Sequence, residues 1–299
     1  MNFLITGGAG FIGNNLVERL SKNRNNKIFV IDLKKKISKL KKVKNVKYIE
    51  GDVSNFKTFR GIKPRIDVAY HLAAQTSVQI GEERPELNFK SNIIGTYNFY
   101  LWAKNNKPKV CYFASSMGVY GNDCENKKEN DICEPYSNYG ISKLIGETFL
   151  KKLSEDKVNY IVLRLFNIYG PGQDLKNLKQ GMISIYLAQS LIGNTINVTG
   201  SLQRTRDFVY IDDLINIMTS KKLIRNQVYN IGFGKPIKVK KVIYFIQDNT
   251  NKKLKINVRK HSAGDIFNSY GNIQKIKKIK LQPKIILSEG IKKMIKKLK

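Results

Sequence analysis

The sequence predicts a doubly wound α/β fold, a parallel sheet with helices on both faces, followed by a smaller C-terminal substrate domain. Three observations carry this. Near-continuous apolar runs alternate with stretches of helical spacing. A glycine-rich turn, Thr6-Gly7-Gly8-Ala9-Gly10-Phe11-Ile12-Gly13, joins the first strand directly to the first helix. After Arg164 the rhythm breaks at Gly170-Pro171-Gly172 into shorter, mixed elements.

In chain order, the expected strands are Phe3-Leu4-Ile5, Lys27 to Ile31 and Val46 to Ile49, then Val68 to Leu72, Val110 to Ala114 and Tyr160 to Leu163. Their runs are unbroken rather than alternating, as suits strands covered on both faces. Between them, helical spacing runs over Phe11 to Lys22, Pro85 to Asn105 and Tyr139 to Leu153. Residues 1–168 are therefore expected to form a Rossmann-type domain, with a return segment near 208–235. Residues 169–299 are expected to form mainly the substrate domain, at the carboxyl ends of the strands where open α/β sheets take ligands. Ile291, Met294, Ile295 and Leu298 keep helical spacing in the Lys-rich tail, which predicts a terminal amphipathic helix.

Composition excludes several classes. A chain of 299 residues that is 41% hydrophobic can bury a real core, which rules out intrinsic disorder. No apolar stretch is long enough for a membrane span, and Met1 to Gly7 lacks the basic and apolar regions of a secretion signal. No membrane association is expected. Cys111, Cys124 and Cys133 make neither a disulfide framework nor a Cys-x-x-Cys metal pair, so a reducing, cytoplasmic setting is expected. The net charge of +31 comes from 44 Lys and only 10 Arg against 23 acidic residues, and lysines crowd into two stretches, Lys34–Lys47 and Lys275–Lys299. Aromatic interleaving is lacking there, so the charge reads as compositional drift and no nucleic-acid partner is expected. A positive field of this kind still helps to capture an anionic substrate.

Gly7, Gly10 and Gly13 permit a tight turn, close approach to a pyrophosphate and close helix–strand packing, and the helix N-terminus offers N–H groups to the anion. Asp32 ends the second strand, 25 residues after Gly7. A carboxylate there accepts both ribose hydroxyls of NAD and repels a 2′-phosphate, which favours NAD over NADP. Lys34, Lys35 and Lys36 soften that repulsion. Asp52, in Gly51-Asp52-Val53 after the third strand, suits an adenine contact, and equally an ordinary cap for a helix over 54–60.

Tyr139 and Lys143 stand at i and i+4, on one face of one helix. A phenol with a pKa near ~10 is a poor base at neutral pH. A neighbouring ammonium favours the phenolate, which makes Tyr139 a candidate general acid/base. Ser116, at the end of the fifth strand, brings a hydroxyl within reach of the same crevice; its bland reading is a turn or cap residue.

Together these segments resemble the extended short-chain dehydrogenase/reductase family, in its nucleotide-sugar epimerase branch. The resemblance runs on through His71 to Ser77, Asn92-Ile93-Ile94-Gly95-Thr96, Ser115 to Gly121, Leu163 to Gly172, Arg206 to Asp213, Tyr229 to Gly232 and Gly264-Asp265. It implies Ser116, Tyr139 and Lys143 as a catalytic triad. It implies cofactor contacts from Phe11, Ile12, Val53, Leu72, Ala73, Ala74, Gln75 and Ser91, besides the glycines, Asp32, Asp52, Tyr139 and Lys143. It implies a UDP-linked sugar held by Ser77, Ser116, Asn167, Arg206, Asp265 and Ser269, with Asn167 and Arg206 on the diphosphate.

Family dehydratases carry an acidic pair after the serine or threonine, and decarboxylases a Glu; this sequence has Met117 and Gly118. The resemblance therefore implies epimerisation, with 4-epimerisation leading and a 2-epimerase or a reductase as alternatives. A non-catalytic NAD- or RNA-binding relative is the alternative of another class, supported by the +31 charge. Ser262 stands where the family often has an Arg on phosphate, and whether Lys260 or His261 takes its place is open. Ser269 is small, where a Tyr narrows the sugar pocket of some relatives, so plain and N-acetylated hexoses both fit. Tyr97, Tyr100, Leu144 and Phe149 are expected either to face outward as the pairing face of a homodimer or to pack on the sheet.

Overall fold

The structure, a computed structural model, describes residues 1–62, 64–122, 124–179, 181–260 and 266–298. The chain forms two compact units. Unit 1 comprises Met1–Val119, Ser137–Arg164 and Lys221–Tyr229, and unit 2 comprises Tyr120–Tyr136, Leu165–Ser220 and the chain from Asn230 onward. Two stretches depart from the sequence-based division. Cys124–Lys127 is a strand paired with Ser269–Gly271, which draws the 120–136 segment into unit 2. The return into unit 1 narrows from 208–235 to Lys221–Tyr229.

Unit 1 is built on seven strands: β1 Asn2–Thr6, β2 Lys27–Asp32, β3 Val46–Glu50, β4 Val68–His71, β5 Val110–Ser116, β6 Asn159–Leu165 and β7 Gln227–Ile231. Their order across the sheet is β7-β6-β5-β4-β1-β2-β3. β1 is parallel to both neighbours, with Phe3 opposite Ile28 on one side and Val68 on the other. β1, β2 and β4 are buried almost throughout, as their unbroken apolar runs require. The chain winds one way from β1 to β3 and the other way from β4, so the strand order reverses between β1 and β4. That reversal is the switch point at which open α/β sheets bind ligands.

Helix α1 (Phe11–Ser21) buries Gly13, Leu16, Val17 and Leu20, a single stripe at helical spacing. Helix α2 (Gly95–Asn106) puts Phe99, Trp102 and Ala103 into a core that also holds Leu4, Ile31 and Phe113. The single helix expected from Pro85 to Asn105 is instead interrupted by a π-helical turn over Phe89–Ile94. Asn92 lies in that turn, and its side chain bonds to the loop after β4 and to the next helix. Helix α3 (Asn138–Lys152) starts where Ser137 Oγ accepts the Gly140 N–H at 3.0 Å.

Among the described residues, unit 2 contains four short strand pairs. Asn167–Tyr169 runs parallel to Phe208–Tyr210, Thr195–Thr199 to Lys255–Arg259, and Cys124–Lys127 to Ser269–Gly271; Thr205–Arg206 is antiparallel to Ile237–Lys238. The terminal helix Leu287–Lys296 buries Leu287, Ile291, Met294 and Ile295. Leu298 lies beyond the helix and is exposed, because the helix stops two residues short of it. Among the described residues no helix is long and apolar enough to cross a membrane.

Candidate active site

The glycine turn is shaped by close approach. Gly7 has φ +73°, and a Cβ on it would stand 2.6 Å from the Ala73 nitrogen, because the loop leaving β1 lies on the loop leaving β4. A Cβ on Gly13 would collide with the Gly7 carbonyl oxygen. No side chain caps the start of α1 and no acidic residue sits in its first turn, so Phe11 and Ile12 open a helix end suited to an anion. Asp32 is buried at the end of β2; Oδ2 accepts the Ala9 N–H at 2.9 Å and Oδ1 the Leu33 N–H at 2.8 Å. Each oxygen keeps acceptor capacity for a further partner. Asp52 Oδ1 accepts the Ser54 N–H at 2.9 Å, while the helical turn starts later, at Phe56, and is capped by Asn55. The Val53 side chain belongs to the hydrophobic core, so only its peptide is open to a cofactor role.

The loop after β4 is fixed from both ends. The Leu72 and Ala73 N–H groups donate to the carbonyl and hydroxyl oxygens of Thr6, at 3.1 and 3.3 Å. Asn92 accepts the Gln75 N–H at 2.8 Å and donates to the Gln75 carbonyl at 3.0 Å. Gln75 Oε1 is buried with no partner among the described residues, an acceptor that suits a bound group. Ala74 lies between these anchors, and Ser91 is half-buried in the π-helical turn. The glycine cradle, Asp32 and this orphaned acceptor form a set that fits a dinucleotide. Ser77 is buried, with its hydroxyl accepting the Ile80 N–H at 3.3 Å as the cap of Val78–Glu83.

Ser116, Tyr139 and Lys143 come together in unit 1. Ser116 Oγ accepts the Gly118 N–H at 3.1 Å and shares a hydrogen bond with the Tyr139 side chain. Lys143 Nζ donates to the Ala114 carbonyl at 2.8 Å and stands 5.7 Å from the Tyr139 ring centre. The expectation that Lys143 lowers the Tyr139 pKa needs correction for the chain by itself. Burial pushes the Tyr139 phenol up to about 12, with the Ser116 hydrogen bond pulling it back, and burial pushes Lys143 down to about 7. Desolvation outweighs the mutual influence of the pair. Lys143 has three N–H donors, and one is committed to Ala114. A Cβ at Gly118 would find only ordinary contacts, at 3.5 Å from Ser116 Oγ and 3.9 Å from Tyr139, so sterics do not account for the lack of a side chain there.

Three buried residues beneath this set escaped the sequence reading. Glu147 Oε1 accepts from Ser115 Oγ at 2.6 Å and from Arg164 Nε at 2.9 Å, and Oε2 accepts from Arg164 Nη2 at 2.8 Å. They tie α3 to β5 and β6. The signal available was spacing: Glu147 follows Lys143 by four residues, on the Tyr139 face of the helix. His71, quoted only as part of a motif, is wholly buried between Thr6 Oγ1 at 2.7 Å and Thr96 Oγ1 at 3.0 Å. Burial first, and the Lys143 charge second, lower its pKa to about 3, so it stays neutral and serves structure rather than proton transfer.

In unit 2, the Asn167 side chain donates to the Asp207 carbonyl at 2.9 Å, and Arg206 Nη1 donates to the carbonyls of Thr205 and Phe267 at 2.8 and 3.2 Å. Asp207, another residue without a role in the sequence reading, is pushed up to about 7 by burial, against the lowering pull of backbone N–H groups from Gly234, Phe233 and Gly271. Ser269 opens the strand Ser269–Gly271. It is fully buried, with its hydroxyl on the Cys124 sulfur at 3.6 Å, because the pairing of Ser269–Gly271 with Cys124–Lys127 turns it inward. His261, Ser262, Gly264 and Asp265 lie outside the described residues; Lys260 is exposed.

Comparison with known proteins agrees with this geometry. A family model described as the NAD dependent epimerase/dehydratase family matches residues 3–232. The chain is 30% identical over 299 residues to a putative UDP-glucose 4-epimerase of Methanocaldococcus jannaschii, covering 98% of this chain and 96% of that protein. It is similar to the crystal structure of UDP-glucose 4-epimerase with UDP-glucose from Thermotoga maritima, at TM-score 0.93 and 31% identity, covering 100% and 98% of the two chains. It is also similar to UDP-N-acetylglucosamine 4-epimerase from Methanobrevibacter ruminantium in complex with UDP-N-acetylmuramic acid, at TM-score 0.91 and 28% identity, covering 99% and 97%. With its seven-stranded sheet, its glycine cradle and a match over most of its length, this chain belongs to the NAD dependent epimerase/dehydratase family.

Proposed function

We propose that the chain is an NAD-dependent nucleotide-sugar 4-epimerase acting on UDP-hexoses, plain or N-acetylated. The observation that carries this reading is the Ser116–Tyr139–Lys143 set in the same unit as the glycine cradle, with Met117 and Gly118 where an acid would drive elimination. NAD, when bound, supplies an acceptor for the hydride of the sugar carbon and returns it. Gly7, Gly10, Phe11, Ile12, Gly13 and Asp32 would hold it, with the loop from Leu72 to Gln75. Tyr139, as phenolate, takes the proton of the sugar 4-hydroxyl and later gives it back. Ser116 hydrogen-bonds the same oxygen and keeps it in line with the phenol. Lys143, when protonated, brings positive charge to the phenol and works against the rise that burial causes. The ketone formed at C4 must present its other face before reduction, so the reaction inverts that centre and is redox-neutral. Asn167 and Arg206 are the proposed diphosphate contacts, a role for which a guanidinium is well suited.

The test is incubation with UDP-, CDP-, GDP- and dTDP-sugars, followed by NMR of the products. The expected result is interconversion of UDP-glucose and UDP-galactose, or of their N-acetylated forms, with no net NADH. NADH accumulating mole for mole with product would establish a dehydrogenase, and loss of water a dehydratase.

A further inference from the structure

Asp207 receives five hydrogen bonds from backbone and side-chain donors on three separate segments of unit 2. Its carboxylate accepts the Phe233 N–H on Oδ1 at 2.6 Å, and on Oδ2 the Gly234 and Gly271 N–H groups at 2.9 and 3.4 Å. Its carbonyl accepts both the backbone N–H of Asn167 at 3.1 Å and the side-chain amide of Asn167 at 2.9 Å. The backbone N–H groups of Phe233, Gly234 and Gly271 hold this buried acid in place. Two glycines are shaped around it. A Cβ on Gly232 would stand 2.5 Å from Oδ2, and a Cβ on Gly271 would stand 2.6 Å from the Phe166 ring that closes the same space.

The carboxylate thus fixes the peptide at 207 against two loops, and that peptide aims the Asn167 amide and anchors the strand carrying Arg206. We propose that Asp207 is a positioning residue for nucleoside-diphosphate binding, setting Asn167 and Arg206 through its grip on the amides of Phe233, Gly234 and Gly271. The inference rests on the reading of Asn167 and Arg206 as diphosphate contacts. Asp207 itself touches no substrate in this scheme. An isosteric amide removes the charge and points an N–H at N–H donors. An Ala at 232 keeps the charge and pushes the carboxylate off its amides.

The experiment compares wild type, Asp207→Asn and Gly232→Ala, using calorimetry with UDP, calorimetry with NAD, and steady-state kinetics. The expected result is that wild type binds UDP, while both variants bind it about 10-fold to 100-fold more weakly, the loss typical of a hydrogen bond to a charged group. KM rises by the same factor, kcat changes by less than about threefold, and NAD affinity stays at the wild-type value. A wild type that fails to bind UDP overturns the diphosphate reading and the role of Asp207 with it. A wild type that binds UDP alongside variants that bind it equally well overturns the role of Asp207 alone. Parallel losses of UDP affinity, NAD affinity and kcat in both variants also overturn it, since they mark a general structural defect.

Discussion

In the free chain at neutral pH, Tyr139 keeps its proton and Lys143 is close to half-ionised, because burial disfavours both charged forms, raising the phenol to about 12 and lowering the ammonium to about 7. Removing the phenol by Tyr139→Phe should lower kcat about 10²–10⁴-fold, the usual share of general acid–base catalysis, while calorimetry finds NAD affinity retained. Lys143 also carries a stability signature. Its pKa falls from about 10.4 in the unfolded chain to about 7 in the fold. The unfolded state therefore binds more protons between those values, so the Lys143 contribution is present above the unfolded pKa and is lost as pH falls through about 7. Urea titrations of wild type and Lys143→Met across that range should show the rise with pH flattened in the variant. At Asp32, Arg should shift preference from NAD toward NADP by calorimetry. The gain for NADP will be smaller than the loss for NAD, since Asp32 also anchors the Ala9 and Leu33 amides. Equal wild-type affinities for the two dinucleotides would overturn the assignment of Asp32.

At the scale of elements, α3 does two things at once: its first turns carry Tyr139 and Lys143, and Glu147 clamps it to β5 and β6. Glu147 and Arg164 are both buried, so removing one partner strands the other's charge. Glu147→Gln should cost about 3–5 kcal/mol in chemical denaturation, and Glu147→Leu combined with Arg164→Met should recover much of it. This clamp was hard to read from sequence, because an ion pair across 17 residues depends on which strand lies under the helix. The glycine turn was easy to read, because close backbone approach admits one residue type and leaves it visible at 7 and 13. The strands were legible for a similar reason: burial on both faces forces unbroken apolar runs. Asp207 was illegible because the partners of its carboxylate are peptide N–H groups, which have no residue identity; Gly232 and Gly271 are what mark the contact. The π-helical turn at Phe89–Ile94 left no periodic signal, since its cause is the pull of Asn92 toward residues 75 and 142.

For the whole molecule, the expected pairing face is altered but not removed. Tyr100 is buried, its ring stacked on Phe149 and its hydroxyl reaching Asp156, so it is not available to a partner. Leu144 and Phe149 are half-buried, and Tyr97 remains exposed, as do Phe89 and Ile141. We expect a homodimer, seen in light scattering at about twice the chain mass of 34.2 kDa; a particle of 34.2 kDa at micromolar concentration would refute it.

The return of the chain into its first sheet has a consequence for how the protein is made. β6 is complete at Leu165, but its outer neighbour β7 does not begin until Gln227. The ribosome must build all of residues 166–226 in between, which at about 5–20 residues per second takes several seconds. Throughout that interval β6 is an uncovered edge, with its N–H and C=O groups open to any passing strand. Vectorial synthesis thus leaves the nascent chain with a finished nucleotide-binding turn and an unfinished sheet, and the late strand β7 is what seals it.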